Sequence, residues 1–532
     1  MNLQEGGVRP FDRQCEMNGT GLEKEIIVDI NPYQTRVVLL ERGEPSEIYI
    51  ERRGRERLVG NIYKGRVQNV LPGMQAAFVD IGLEKNAYLF AGDIQQDKQD
   101  FIFNGKETQT VNAVPNIKDI VKVGQEIMVQ VVKEPIGTKG ARVTTNITLP
   151  GRTLVLMPSV DYIGVSKRIE DEAERTRLRD AAQSAAKDFS IGAIVRTAAE
   201  GKSEEEFHAD FAFLTRLWGR IKQKSELVSA PRLLHAEEPL VFRTIRDLFT
   251  PDIKRLAIND REFYERVLLI ANIISPSLKN RVQLYEDIPD LFDQLGLETE
   301  IDRALAHKVW MKNGGYIIID QTEALTTIDV NTGKYVGTDN LQETITETNC
   351  EAAREIARQL RLRDISGIIV VDFIDMDEIA DKERVLSTLR EELAKDRTKS
   401  HVLGITQLGL VEMTRKKTRQ CISHTLQSPC PYCGGTGNVL SVETVVLKVR
   451  KQLMRMMAKN EAKSFLIRVN KAVADSIAEN SDRHSGILPV PKGGAVYVEA
   501  ADMHMEKYEV SPLNEAQAEE YYRRGAARYS GE

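Results

Sequence analysis

Apolar residues in this chain come in short runs near the N-terminus and at helical spacing further on. Lys24-Glu25-Ile26-Ile27-Val28-Asp29, Val37-Val38-Leu39-Leu40 and Ile48-Tyr49-Ile50 read as three short strands. A turn at Gly43, Glu44 and Pro45 joins the last two. From Asn61 to about Thr148 the pattern stays strand-rich. Ile62 to Val67 carries Gly65, as expected at a sharp barrel bend. Gln75 to Gly82, Ala87 to Phe90, Ile127 to Lys133 and Ala141 to Ile147 follow, with a polar interruption at 95–120. These short strands predict a small closed barrel of the OB type.

Glu170 to Ala186 and Glu204 to Lys224 read as helices, the second with Phe211, Leu214, Leu217 and Trp218 on one stripe. Between them, Ala193 to Ala199 reads as a strand running into a loop. Residues 240–305 are expected to be helix-rich with short strands, Phe263 to Ile270 among them. The segment 305–425 reads as α/β. Gly314-Gly315 opens a hairpin of Tyr316 to Asp320 and Ala324 to Val330. Asp339 and Gln342 resemble a capping box for a helix carrying Leu341, Ile345, Ala352, Ile356 and Leu360. Gly367 then precedes a second apolar strand, and Glu378 to Ala394 is another helix. A helix, a strand at Ser464 to Val469 and a polar tail from Glu515 complete the chain.

Composition narrows the class. The chain has 532 residues, 42% hydrophobic and 29% charged, which predicts several globular domains and not a disordered protein. No apolar run approaches the roughly 20 residues of a membrane span, and the polar N-terminus has no signal-peptide core. Five cysteines do not make a disulfide framework, so a cytoplasmic protein is expected. The net charge of −6 excludes a uniformly basic surface, but local basic clusters such as Arg415, Lys416, Lys417 and Arg419 remain compatible with nucleic acid.

Candidate chemistry lies in four places. Asp329 and Asp372 end two apolar strands about forty residues apart, with one helix between them. Alone, either would read as a cap or turn residue. In one strand–helix–strand unit they converge at a sheet edge as a hard-oxygen pair suited to Mg²⁺, and Asn331 shares the face of Asp329. Cys430-Pro431-Tyr432-Cys433-Gly434-Gly435 has the form of half a zinc site. The other ligands would come from a second copy of the chain or from Cys421 and His424; a redox dithiol is disfavoured. On the barrel, Phe78, Tyr88 and Phe90 are aromatic, and Lys64, Arg66, Lys133, Lys139 and Arg142 are basic, the mixture with which OB barrels hold single strands. On its own, one aromatic in a strand such as Phe78 reads better as core than as a stacking surface. Arg196-Thr197 could grip a terminal phosphate through a planar fork and a hydroxyl, although spacing alone gives this little weight.

Taken together, these segments resemble the ribonuclease E/G family. The resemblance rests on Asn61-Ile62-Tyr63-Lys64-Gly65, Ala76-Ala77-Phe78-Val79-Asp80, Gly137-Thr138-Lys139-Gly140-Ala141, Leu154-Val155-Leu156-Met157-Pro158 and Val195-Arg196-Thr197-Ala198. It continues through Gly314 to Asp320, both aspartate strands, Leu408 to Arg415 and the Cys-Pro-x-Cys turn. It spans about residue 23 to beyond 440. The chain ends without the long scaffold of one branch of the family, so the shorter branch is expected.

The resemblance implies a multidomain α/β protein with a β-barrel. An S1-type OB RNA-binding domain (58–148) would be inserted in an RNase H-like subdomain (23–57 and 241–304). A 5′-sensor region (149–240), a DNase I-like catalytic domain (305–426), a zinc-link (427–440) and a small C-terminal domain (441–532) would follow. Residues 1–22 would be an N-terminal extension, with Met17 an alternative start. The implied activity is Mg²⁺-dependent endonucleolytic hydrolysis of single-stranded RNA leaving 5′-phosphates, in rRNA maturation and mRNA decay. Asp329 and Asp372 would hold Mg²⁺, with Asn331 in support. Arg196 and Thr197 would bind the RNA 5′-monophosphate, and Phe78, Tyr88 and Lys139 would contact RNA. Cys430 and Cys433 would share Zn²⁺ between the subunits of a homodimer, with pairing into tetramers left open. Tyr88 stands where the family has Phe, which keeps a stacking ring. Two rivals are a non-catalytic RNA-binding protein and a DNA-directed nuclease.

Overall fold

The computed structural model describes residues 24–54, 57–94, 116–135, 139–189, 191–274, 276–286, 290–334, 341–483 and 487–530. The expected extension at 1–22, most of the interruption at 95–120, Gly137, Thr138 and the Asp339 end of the capping box lie outside these residues. Two compact units are present, Met1–Thr425 and Leu426–Glu532.

In the first unit, Lys24–Ile30, Gln34–Glu41 and Glu44–Arg52 form an antiparallel meander. Ile253–Ile258 pairs parallel to Lys24–Ile30, and Val282–Leu284 extends the same sheet. The chain between Arg52 and Ile253 is therefore an insertion into this sheet. One face, with Ile26, Val28, Val37 and Leu39, packs on Leu240, Phe242, Ile245 and Val267. Ile27, Val38 and Ile48 are also buried, which is why these strands read as almost unbroken apolar runs. Phe263 to Ile270, expected as a strand, lies inside the helix Arg261–Ile274. Val267 and Ala271 are buried four residues apart while Leu269 is exposed, a helical period that a short apolar run conceals.

The first part of the insertion is a closed five-stranded barrel. Ile62–Leu71 pairs with Ala76–Asp80 on one side and Glu126–Lys133 on the other, with Ala87–Phe90 and Arg142–Thr144 completing the circuit. Closure leaves no room at Gly65, where a Cβ would lie 2.5 Å from Val79 Cγ1. Ile127 to Lys133 is in strand as expected, whereas the last strand is shorter than Ala141 to Ile147. Arg232–His235 adds to the start of Ile62–Leu71. Beyond the barrel, Leu149–Pro150, Leu154–Met157, Ile163–Val165 and Gly192–Val195 form a small sheet covered by the helices Glu172–Ala186 and Glu204–Leu227.

A six-stranded mixed sheet ends the unit. Its order is Lys308–Trp310, Tyr316–Gln321, Leu325–Asn331, Gly367–Asp372, Val411–Arg415 and Ser400–Ile405. Ile317, Ile319, Ile328, Val330, Ile369 and Val371 point into a core shared with the helices Leu341–Arg363 and Ile379–Ala394. Alternate residues point away from that core, and Thr327, Asp329, Ile368 and Asp372 among them are exposed.

In the second unit, the helix Val442–Lys459 precedes a four-stranded sheet in the order Tyr508–Leu513, Ser464–Asn470, Ala495–Ala501, Ala527–Ser530. The tail from Glu515, read only as polar, forms the helix Glu515–Arg523 under an Asn514–Gln517 capping box and then the edge strand. No helix among the described residues is long and apolar enough to cross a membrane.

Candidate functional site

The strands Leu325–Asn331 and Gly367–Asp372 run parallel, and their register pairs Asp329 with Asp372. Parallel register partners share a face, so the two exposed carboxylates stand side by side, about 5 Å apart at the backbone. Asn331 donates from Nδ2 to Asp329 Oδ2 at 2.7 Å, which orients that carboxylate. Gly333, at φ +57°, packs so tightly on the opposite hairpin arm that a Cβ would lie 2.6 Å from the Gly314 carbonyl oxygen. Glycine is required there for the chain to leave the strand beside Asn331. The exit from the other strand is braced from the core. Fully buried Asn349 accepts from the Ile374 amide at 3.1 Å and donates to its carbonyl at 2.8 Å.

Two carboxylates and one amide make a hard-oxygen donor set with open sides, which suits a cation that keeps several waters. Among the described residues no group of three or more His, Cys, Asp or Glu side chains is placed to hold a metal ion. Asp320, the next carboxylate on this face, is engaged by His307.

Arg196 follows the strand Gly192–Val195, and Thr197 opens a short 3₁₀ turn. Both line a cavity of about 430 Å³ together with Val165, Ser166, Lys167 and Arg168. The Arg196 guanidinium donates to the Gly151 carbonyl at 2.6 Å and to Asp247 Oδ1 at 2.7 Å. Burial pushes the Asp247 carboxyl up, but Arg246 and Arg196 outweigh it and hold the group below the usual carboxylate range. Arg168 donates to the Arg397 carbonyl, and Arg397 reaches the Asp247 carbonyl at 3.2 Å.

On the barrel, Phe78 and Tyr88 are register partners with rings 6.1 Å apart in an edge-on arrangement. Both are half-buried and stand outside the barrel core, which is built from Ala77, Val79, Ala87, Leu89 and their neighbours. The Tyr88 amide donates to the Ala141 carbonyl at 2.7 Å, which brings exposed Lys139 to the same rim. Arg142 joins this row beside Tyr88 and is bound by Asp93 at 2.8 Å. Lys64 and Arg66 are engaged by groups of the fold itself. Glu126, held down to about 2 by hydrogen bonds from Lys64 and Arg66, offsets one of their two charges, and both also donate to carbonyls in 225–230. Spacing could not show this, because their partners lie far off in sequence.

Cys430 and Cys433 are both free thiols in the second unit, Cys430 exposed and Cys433 half-buried. The amides of Gly437 and Gly435 lower the Cys433 thiol below its ordinary range, favouring thiolate. The turn is seated by Tyr432, whose carbonyl takes His504 Nε2 at 2.6 Å and whose ring lies 4.2 Å from the imidazole. His504 Nδ1 accepts from the Glu506 amide, so both ring nitrogens are engaged. In the first unit Cys421 is buried within the core of the six-stranded sheet and accepts from Gln321 and Ser423.

A model of the ribonuclease E/G family matches residues 148–418, and one of the S1 RNA binding domain matches 58–144. Ribonuclease G of Escherichia coli (strain K12) is 46% identical over 461 residues, which cover 87% of this chain and 93% of that protein. This chain belongs to the ribonuclease E/G family. Ribonuclease G of Haemophilus influenzae is 44% identical over 87% of this chain and 94% of that protein. Ribonuclease E of Escherichia coli (strain K12) is 36% identical over 86% of this chain but only 41% of its own length. As a member of the ribonuclease E/G family the protein is an enzyme that hydrolyses RNA phosphodiester bonds, and its barrel is an S1 RNA-binding domain. Two supporting residues of this ribonuclease E/G member carry no sequence motif. Asp247 meets Arg196 across 51 positions, and Asn349 is one of several buried polar residues on its helix.

Proposed function

We propose that the protein is a Mg²⁺-dependent endoribonuclease that cleaves single-stranded RNA, prefers 5′-monophosphorylated ends, and acts in the cytoplasm in rRNA maturation and mRNA turnover. The observation that carries this reading is the in-register pair Asp329 and Asp372 on an exposed sheet face. These two carboxylates would hold the cation. When bound, Mg²⁺ supplies charge stabilisation at the phosphate and a lowered pKa for water. Asn331 spends its amide on one Asp329 oxygen, which fixes the direction of the other. Arg196 and Thr197 receive the terminal phosphate in the cavity, while Phe78 and Tyr88 stack bases and Lys139 meets the backbone. A strand held at both places reaches the aspartates at raised effective concentration.

In the same reading, the sheet of Lys24–Arg52 and Ile253–Leu284 is RNase H-like, residues 305–426 form a DNase I-like catalytic domain, and 427–440 form a zinc-link. Cys430 and Cys433 supply two thiolates, and a second copy of the chain supplies the other two, so that zinc closes a homodimer. Support comes from the lowered Cys433 thiol and the lack of further ligands among the described residues.

The test is cleavage of 5′-labelled single-stranded RNA with Mg²⁺ or EDTA. Asp329→Asn and Asp372→Asn should each lower turnover about a thousandfold or more while RNA affinity stays near wild type. Turnover retained by either variant removes the metal assignment.

A further inference from the structure

The sheet face that carries the aspartates also carries an aromatic cluster. The register aligns Lys308, Ile318, Asp329 and Asp372 in one cross-strand row, and Trp310, Tyr316 and Asn331 in the next. Both rows lie on the face turned away from the helices, since Val309, Ile317 and Val330 point into the core. Trp310 is 53% exposed, too much for a core residue. Its ring meets Tyr316 edge-on at 5.3 Å. The Lys308 ammonium lies 4.1 Å from the Trp310 ring centroid and 3.5 Å from that of Tyr316. Among the described residues Lys308 has no carboxylate partner, so its charge is available to an anionic ligand.

Trp310 and Asn331 are separated by two strand spacings, about 10 Å. That is within reach of a nucleotide neighbouring a phosphate held at Asp329. An exposed indole offers a flat face to a base, and the adjacent ammonium attracts the phosphate attached to it. A second copy of the chain is the other occupant an exposed apolar face could take. The unpaired cation beside an RNA-cleaving centre favours RNA.

We propose that Trp310 and Tyr316, with Lys308, form a base-stacking platform for the RNA nucleotide beside the cleaved bond. The proposal rests on Asp329 and Asp372 being the catalytic pair. It adds to the S1 barrel a second stacking surface, located at the chemistry itself.

The experiment uses the full chain with Asp329→Asn, to prevent cleavage, and Trp218→Phe, which leaves Trp310 as the sole tryptophan. Titration with a single-stranded oligoribonucleotide should quench the Trp310 emission saturably. In the cleaving enzyme, Trp310→Ala should lower kcat/KM by about fivefold to 150-fold, the range of one stacked base, and Trp310→Phe should recover most of it. Saturated RNA binding with unchanged emission, together with wild-type kcat/KM in Trp310→Ala, overturns the platform. If Trp310→Ala instead turns dimers into monomers and RNA leaves the emission unchanged, a second copy covers this face and the platform is wrong. Cleavage by Asp329→Asn or Asp372→Asn is read separately. If it persists, the catalytic pair fails, and with it the position assigned to the platform, whatever the emission does.

Discussion

Replacing Arg196 with Gln isolates the contribution of a terminal phosphate to cleavage. The guanidinium has five N–H donors, and contacts to the Gly151 carbonyl and Asp247 use two of its nitrogens. Among the described residues the remaining donors have no partner and can turn to a phosphate in the cavity. Hydrogen bonds to a charged group contribute about 1.5–3 kcal/mol, which corresponds to a factor of about ten to 150. Arg196→Gln should therefore lower kcat/KM on 5′-monophosphorylated RNA by that factor and leave 5′-hydroxyl RNA near wild type. The fold should survive, because Asp247 keeps both contacts to Arg246, at 3.1 Å each. The assay compares one oligonucleotide carrying either end, under single-turnover conditions at fixed salt. Equal slowing of both substrates would refute the reasoning, because damage to the fold or to general RNA affinity affects them alike. So would a variant that still discriminates fully.

Three further outcomes are expected. Tyr88→Ala and Phe78→Ala should each weaken single-stranded RNA binding by about 1–3 kcal/mol, measured by fluorescence anisotropy, with Tyr88→Phe close to wild type. Cys430→Ala should release zinc and halve the mass measured by light scattering; a variant that stays dimeric with zinc bound would exclude the shared site. Acid should destabilise the first unit. Burial pushes Asp247 and Glu47 up, but Arg246 and Arg196 on one and Arg397, Tyr49, Arg419 and Arg361 on the other hold both below ordinary values. A depressed carboxyl adds stability above its unfolded pKa of about 4 and loses it as pH falls through the folded value. Urea midpoints should thus be flat from neutrality to about pH 5 and drop below pH 4, and Asp247→Asn should reduce that dependence.

What could be read from the chain alone was what local periodicity writes. The aspartate strands, their connecting helix and the barrel strands each repeat at their own period, and the strand-terminal carboxylates follow from it. What could not be read were contacts between distant residues. Lys64 and Arg66 looked like groove cations, and only the fold shows Glu126 and the carbonyls of 225–230 closing on them. Asp247 gave no sign that it would meet Arg196. Phe263 to Ile270 ends in four consecutive apolar residues, Val267 to Ile270, which hide the helical period that the inward packing of Val267 reveals. Trp310 drew no attention because exposure is a property of the sheet, not of the tryptophan.

The interrupted N-terminal sheet has a consequence for synthesis. Lys24 is in register with Ile253, so the first strand leaves the ribosome 229 residues ahead of its parallel neighbour. At about 5–20 residues per second, that delay is on the order of 10–50 s. Throughout it, the Lys24–Ile30 edge of the meander lacks its neighbour, while the five barrel strands, which span only Ile62 to Thr144, can already pair with one another. The guest is finished before its host, and an open strand edge must wait in a crowded cell until the chain returns to cover it.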